Sequence, residues 1–142
     1  MINTLKLGQY NIPQQFILWQ KSYTCAIIPC VQLMPGHILL LPKRYVSNFC
    51  ELEAGENHQP ENPDSIDQIY VHIIPRRKGD YQKNDDIYFV LENYDKEFAK
   101  QYQNTISSTN SFSNAAIEIQ GQETKKYKTF LDQFWQEEYN QQ

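Results

Sequence analysis

Residues 68–80 read QIYVHIIPRRKGD. Residues 69–74 are mostly β-branched or aromatic, and Pro75 ends this run. Such residues are typical of a β-strand, and the side chains of a strand point alternately to its two faces. One face would therefore carry Gln68, Tyr70 and His72, and the opposite face Ile69, Val71 and Ile73. The pattern predicts a strand with a row of hydrogen-bonding side chains on one face.

The length of 142 residues suits one domain, and the net charge of −4 excludes a basic face for nonspecific nucleic-acid binding. We expect no nucleic-acid partner. No segment reaches the roughly 18–20 apolar residues of a membrane span, and the first residues lack the apolar run of a signal peptide. These observations predict an intracellular and by default cytoplasmic protein, with organelle and cytoskeletal assemblies left open. An odd number of cysteines favours reduced, buried thiols at Cys25, Cys30 and Cys50.

Further elements follow from short patterns along the chain. Apolar runs at 10–19 and 23–28 predict a hairpin, and residues 37–41 form a buried strand that Pro42 stops. Residues 53–67 are polar and acidic, which is typical of a loop. A short helix is expected over 86–94, with Asp85 or Asp86 as its cap. Residues 99–120 are rich in Ser, Thr, Asn and Gln, which favours a polar linker after a domain over 1–98.

Four blocks stand out along the chain: LGQY at 7–10, PGHILL at 35–40, PKRYVSNFCEL at 42–52 and PRRKGDYQKNDDIY at 75–88. In sequence and in order they resemble the fragile histidine triad branch of the histidine triad family, whose members hydrolyse dinucleoside polyphosphates. The resemblance implies an α+β fold, with a histidine-triad-like antiparallel sheet and flanking helices. It also implies that the interval 52–68 is shortened, because the family carries about thirty further residues there, including a long helix and a nucleotide-gripping loop. A true deletion and an incorrectly joined gene model would both produce this gap.

The resemblance aligns Gln68, Tyr70 and His72 with the three histidines of the family signature. In the family the middle histidine attacks the α-phosphorus, and here that position is Tyr70. A phenol with a pKa of about 10 is protonated at neutral pH, and no neighbouring base is obvious. Gln68 cannot shuttle a proton, and Pro29 stands where the family has a sugar-binding asparagine. We therefore expect no catalytic residue.

Two histidines of the family site are retained, His72 at the third position of the signature and His37 as the additional supporting histidine. With Arg76 they predict a residual phosphate or nucleotide site. The alternative is that both histidines are hydrogen-bonded structural residues, and that Arg76 and Arg77 pair with carboxylates. No metal and no cofactor are expected, and His58 in the acidic loop is expected to be solvated.

The C-terminal residues 121–142 predict an amphipathic helix that extends to about residue 139. Its apolar stripe recurs at helical spacing and comprises Tyr127, Phe130, Leu131, Phe134 and Trp135. The stripe would pack on the domain's own sheet or in the groove of a protein partner, a full-length paralogue among the candidates. The sheet surface exposed by the missing segment is a second predicted partner surface.

The sequence leaves three hypotheses for function. The first is a catalytically degenerate protein that serves as a structural or interaction subunit of a larger assembly. The second is a hydrolase or nucleotidyl transferase for dinucleoside polyphosphates with a noncanonical nucleophile. The third is a nucleotide sensor that binds weakly and does not turn over its ligand.

Overall fold

The structure, a computed structural model, describes residues 5–52, 66, 68–107 and 114–139. Side chains at 51, 103–107, 114–120 and 134–139 lie outside this description. The strands are β1 Lys6–Leu7, β2 Tyr10–Asn11, β3 Ile17–Gln20, β4 Thr24–Ile27, β5 Ile38–Pro42 and β6 Val71–Ile73. The helices are α1 Asp86–Glu92, α2 Tyr94–Ser107 and α3 Asn114–Tyr139, with 3-10 turns at Gln14–Phe16 and Phe49–Glu51. The predicted α+β class, an antiparallel sheet with flanking helices, is confirmed.

The main sheet has the order β3-β4-β5-β6, and all its pairs are antiparallel. The predicted hairpin is confirmed as β3 and β4, and the predicted strand at 37–41 is β5. β6 is shorter than the predicted strand, since only Val71–Ile73 pair with β5. Before β6 the backbone pairs with a different segment of the chain: the Ile69 N–H donates to the Val46 carbonyl at 2.8 Å. The domain therefore ends its sheet in a three-residue edge strand.

The core lies between the inner face of this sheet and α2. Tyr94, Phe98 and Tyr102 recur at intervals of four along α2, so they share one face, and all three are buried. They belong to the same buried cluster as Ile27, Leu39 and Leu41 from the strands. Tyr102 also donates its hydroxyl to the Asn11 carbonyl at 2.9 Å. The α2 helix thus closes the sheet on its inner side.

The prediction of a polar linker over 99–120 is wrong for residues 99–107 and 114–120. The first of these segments belongs to α2 and the second to α3, while residues 108–113 lie outside the described part of the chain. The polar composition was misleading because the buried face of α2 needs only one aromatic residue per helical turn. Tyr94, Phe98 and Tyr102 supply that pattern.

Helix α3 begins at Asn114, seven residues before the predicted start at Gly121. It packs on the Gln14–Phe16 turn and on β3. Thr124 is buried there, Gly121 approaches the Gln15 side chain, and Glu123 accepts a hydrogen bond from Gln32 at 2.9 Å. Small and polar residues therefore supply the packed face, not the predicted apolar stripe.

The stripe itself is mostly not covered by the sheet where it is described. Phe130 is 65% exposed, so its packing on the domain's own sheet is contradicted. Tyr127 and Leu131 are half-buried, and the side chains of Phe134 and Trp135 lie outside the described residues. The Tyr127 hydroxyl lies beside Gly36, which has a φ of +87° and also contacts Pro75. Tyr127 thus joins α3 to the turn that precedes β5.

Two smaller expectations are also corrected. Cys25 is buried as predicted and Cys30 is partly buried, but Cys50 is exposed in the middle of the Phe49–Glu51 3-10 turn. Asp85 occupies the cap position of α1 without a side-chain cap bond, and the Asp86 carboxylate instead accepts from the Lys83 N–H at 3.0 Å. Among the described residues, no helix is long and apolar enough to cross a membrane.

Candidate functional site

A cluster of polar and aromatic side chains lies where the inner face of β5 and β6 meets the first turn of α2. His37 precedes β5 and His72 is the middle residue of β6, while Tyr94 and Asp95 begin α2. The His72 ring contacts the Tyr94 ring edge-to-face with centroids 4.6 Å apart, and the Tyr70 ring at 5.1 Å. The predicted alternation thus brings Tyr70 and His72 to the same side, together with His37.

The two histidines form a continuous hydrogen-bonded chain. The Leu33 N–H donates to His37 Nδ1 at 3.1 Å, and His37 Nε2 lies 2.9 Å from His72 Nδ1. His37 Nδ1 accepts from an N–H and therefore carries no hydrogen, so a neutral His37 must carry its hydrogen on Nε2. It then donates to His72 Nδ1, which leaves the hydrogen of a neutral His72 on Nε2. This network fixes the tautomers of both rings.

Burial keeps both rings neutral at physiological pH. Desolvation and, to a smaller extent, the neighbouring His72 lower the pKa of His37 to about 4. Desolvation also lowers the pKa of His72, although the Asp95 carboxylate opposes this by favouring the charged ring. His37 is fully buried and both of its nitrogens are engaged by the protein. In this geometry only the Nε2–H of His72 is left to meet a ligand.

Tyr70 has a neighbouring base that the sequence did not reveal. Its hydroxyl donates a short hydrogen bond to the Asp95 carboxylate. Burial raises the pKa of Tyr70 well above its usual value, and the bond to Asp95 and the negative charge there raise it further. The phenol is therefore held in its protonated form. The two residues lie 25 positions apart in different elements, so no local sequence pattern could have identified the pair.

Gln68 faces inward but acts as a structural link. Its Oε1 accepts from the Gly8 N–H at 2.8 Å, and its Nε2 donates to the Pro42 carbonyl at 2.9 Å. The side chain is only 4% exposed. Gln68 therefore joins the β1–β2 turn to the end of β5, and both its oxygen and its nitrogen are bonded to backbone.

Arg76 belongs to a self-contained turn after β6. Its Nε and Nη2 donate to the two Asp80 carboxylate oxygens at 2.6 and 3.0 Å, and Nη2 also reaches the Asn84 carbonyl at 3.3 Å. Asp80 further accepts from the Arg77 and Tyr81 backbone N–H groups, and the Arg76 guanidinium lowers its pKa. The predicted pairing of Arg76 with a carboxylate is thus observed.

His58 lies outside the described residues, as does most of the shortened interval.

Few groups at this site suit a metal ion. No group of three or more possible metal-ligating side chains occurs within the described residues. The arrangement offers one outward N–H donor at His72 and a protonated phenol beside a carboxylate. It can donate hydrogen bonds to an anion, and it lacks an imidazole with an accessible lone pair.

Comparison with known proteins gives relatives of one kind, although no protein-family model matches the sequence. The chain is 22% identical to the bifunctional bis(5'-adenosyl)-triphosphatase/adenylylsulfatase FHIT of Arabidopsis thaliana, over 88% of this chain and 83% of that protein. It is 26% identical to the bis(5'-adenosyl)-triphosphatase of Dictyostelium discoideum, over 64% of the chain and 80% of that protein. The crystal structure of the Caenorhabditis elegans NitFhit protein matches 69% of the chain with a TM-score of 0.45 and 19% identity. Because NitFhit is longer, the match spans 31% of its chain.

These sequence relatives and the four blocks of residues indicate the class: the chain is similar to histidine triad proteins. Within that class the similarity is to the fragile histidine triad branch, to which the names of these relatives refer.

The alignments also show that this chain has fewer residues than its relatives over the matched length. The Arabidopsis alignment has 153 positions but takes up 88% of the 142 residues, about 125, so about 28 positions have no residue in this chain. The Dictyostelium alignment has 119 positions and takes up 64%, about 91 residues, which again leaves about 28. The deficit agrees in size with the deletion predicted between Leu52 and Gln68.

Proposed function

We propose that this chain is a catalytically degenerate histidine triad protein that acts as a structural or interaction subunit of a larger assembly. One observation carries the proposal, the hydrogen-bonded chain from Leu33 through His37 to His72. It occupies the lone pairs of both imidazoles within the protein. A nucleophilic histidine must present an unprotonated nitrogen to the phosphorus, and neither ring does so.

The alternative proton placement does not restore a nucleophile. If His72 Nδ1 carried the hydrogen, it would donate to His37 Nε2, and both His37 nitrogens would then lack a hydrogen. That state is an imidazolate, which has no counter-charge here to stabilise it. Protonating either ring removes a lone pair and breaks one bond of the chain. The neutral assignment is therefore the one that the network supports.

The second candidate is an enzyme that acts on dinucleoside polyphosphates, as the names of its relatives say of those proteins. One observation favours it, the Tyr70 hydroxyl bonded to the Asp95 carboxylate, which is an arrangement of nucleophile and base. The raised pKa of Tyr70 weighs against it, since the attacking phenolate would form beside a negative charge. A weak nucleotide sensor is the third candidate, with His72 Nε2–H as its phosphate donor.

The decisive experiment follows mononucleotide release from diadenosine triphosphate by the purified full chain. The Dictyostelium triphosphatase serves as the positive control, and a heat-denatured sample sets the background. We expect release at the background level. Release well above background that Tyr70→Phe abolishes would establish the enzyme and overturn the proposal.

A second measurement separates sensing from loss of binding. A ligand that binds the folded state raises the melting temperature by mass action. We expect no rise with millimolar ATP or diadenosine triphosphate. A rise that His72→Ala removes would instead support the nucleotide sensor.

Exposed Phe130 supports the partner-binding role of α3, and Phe130→Ser is expected to weaken such assembly.

A further inference from the structure

The turn between β4 and β5, residues 31–37, carries the donor that fixes the histidine tautomers. The Leu33 N–H donates to His37 Nδ1 at 3.1 Å, and the His37 backbone N–H closes the same turn by donating to the Met34 carbonyl at 3.0 Å. His37 Nε2 in turn lies 2.9 Å from His72 Nδ1. The direction of the hydrogen bond between the two rings therefore depends on the position of the Leu33 N–H.

Helix α3 touches this turn at two points. The Glu123 carboxylate accepts from Gln32 Nε2 at 2.9 Å, and Gln32 directly precedes Leu33. Tyr127 lies one helical turn beyond Glu123, so the two side chains share a face of α3, and the Tyr127 hydroxyl lies beside Gly36. Burial, together with the charge and the hydrogen bond of the Glu123 carboxylate, raises the pKa of Tyr127 and keeps this hydroxyl protonated. The two residues of α3 thus bracket the turn that carries the Leu33 donor.

A separate attachment joins the start of the turn to α2. Tyr94 donates its hydroxyl to the Val31 carbonyl at 2.8 Å. This bond involves the buried core face of α2 and does not depend on α3. Gln32 and Leu33 follow Val31 and are only half-buried. Release of the turn from α3 would therefore free the segment around Leu33 while Val31 stays attached to the core.

The Leu33 donor decides what His72 offers to a ligand. While it occupies His37 Nδ1, a neutral His37 carries its hydrogen on Nε2, and His72 Nε2 carries a hydrogen too. Without it, His37 Nδ1 can carry the hydrogen and donate to water, since the turn is half-buried. His37 Nε2 then accepts from His72 Nδ1, both rings stay neutral, and no imidazolate forms. In this reversed chain His72 Nε2 has a free lone pair.

We propose that α3 is a strap on the 31–37 turn, in which Glu123 and Tyr127 are positioning residues that hold the Leu33 N–H on His37 Nδ1 and thereby keep His72 Nε2 protonated. The inference rests on the proposed function, because it names the contact that keeps the remaining histidines unreactive. That contact lies outside the site, on the helix that carries the exposed Phe130. The proton arrangement of the site is therefore set by a different element from those that carry the two histidines.

The test compares the native full chain with the double variant Glu123→Ala and Tyr127→Ala at pH 7. ¹⁵N NMR of the histidine rings reports the tautomers, and hydrogen exchange reports whether the Leu33 amide is still bonded. We expect His72 to change from a single Nε2–H form to a mixture, with a shift of at least about tenfold in the tautomer ratio. The Leu33 amide should exchange at least about tenfold faster, because its bond to His37 is lost.

Matched single variants separate positioning from general stability. Glu123→Gln keeps an oxygen that can accept from Gln32, so we expect it to retain the native tautomers, whereas Glu123→Ala shifts them. Lys126→Ala changes an exposed residue of α3 and is expected to leave both readouts unchanged. A merely structural role of Glu123 would lower the melting temperature and leave the His72 tautomer as it is. The single Glu123 variants carry the test if the double variant does not fold.

Two outcomes overturn the proposal. One is a folded double variant with native tautomers and unchanged exchange of the Leu33 amide, since the turn would then hold itself without α3. The other is an equal tautomer shift in Glu123→Gln and Glu123→Ala, since the bond from Gln32 would then not be the cause. Turnover of diadenosine triphosphate by the native chain would defeat the proposed function and leave the tautomer comparison standing, so the two failures are distinguishable.

Discussion

His72 and Val71 are neighbours on β6, but the two faces they occupy have opposite characters. On the inner face, His37, His72, Tyr70 and Gln68 bond to other groups of the protein itself. On the outer face, Val71 and Phe49 have large apolar surfaces exposed to solvent. The difference indicates that the inner face is closed by internal hydrogen bonds, whereas the exposed apolar surface lies on the opposite face.

The pH dependence of stability is the largest expected effect and tests whether the inner face is closed. The unfolded chain binds a proton at His37 near pH 6.5, whereas folding lowers that pKa to about 4. The contribution of neutral His37 to the free energy of unfolding is therefore fully present above pH 6.5. It is lost as the pH falls from 6.5 to about 4, by an amount on the order of 3 kcal/mol. Chemical denaturation at a series of pH values measures it.

The control for this prediction is His37→Gln. We expect it to reduce the slope of the free energy of unfolding against pH, between pH 6.5 and 4, by the equivalent of about one bound proton. An unchanged slope would show that His37 titrates normally in the folded state. The inner face would then be open to solvent.

Gln68→Ala gives the next largest expected effect. The substitution removes one buried and one partly buried hydrogen bond and leaves the Gly8 N–H without its partner. An unsatisfied buried donor is costly, so we expect a loss of about 2 kcal/mol or more in the free energy of unfolding. Gln82→Ala, at an exposed position, is the matched control and should cost little. Equal effects of the two variants would contradict the structural role of Gln68.

Tyr70→Phe tests the link between the inner face and α2. It removes the phenol that donates to Asp95 and leaves that carboxylate half-buried. We expect a loss of about 1–2 kcal/mol at neutral pH in urea denaturation. Tyr88→Phe alters an exposed tyrosine and serves as the control. A Tyr70→Phe variant as stable as the native chain would mean that the bond contributes nothing to folding.

Val71→Thr, on the outer face, is expected to give the smallest effect. The residue is a partly exposed member of an edge strand, and threonine keeps its β-branched shape. We therefore expect a change below about 0.5 kcal/mol in the free energy of unfolding. A loss comparable to that of Gln68→Ala would show that the outer face is part of the core, which would remove the contrast between the two faces.

The sequence predicted those features that depend on local pattern and order. The placement of Tyr70 and His72 on one side, the hairpin β3–β4 and the strand β5 all follow from residue type and spacing. The sequence did not predict helix α2, although Tyr94, Phe98 and Tyr102 repeat every four residues, because most of its other residues are polar. That signal was available in the sequence. The stripe that includes Phe130 identified a helix but not the face by which it packs.

The site chemistry could not be predicted from the sequence, because it depends on contacts between distant segments. The bond from Tyr70 to Asp95 joins the residue before β6 to α2, and the bond from Gln68 to Gly8 spans 60 residues. The acceptor role of His37 Nδ1 depends on the backbone turn at Leu33. Residue types alone predicted a phosphate site at two histidines, whereas the hydrogen bonds leave one ring nitrogen to bind phosphate.

The central claim is that neither imidazole presents a lone pair to a substrate, and ¹⁵N NMR of the histidine rings tests it most directly. In the ¹⁵N-labelled chain at pH 7, His37 and His72 should each show a protonated Nε2 and an unprotonated Nδ1, with the Nδ1 signals shifted by hydrogen bonding. An unprotonated Nε2 on His72 at that pH would contradict the account, because the ring would then carry the lone pair that nucleophilic attack requires.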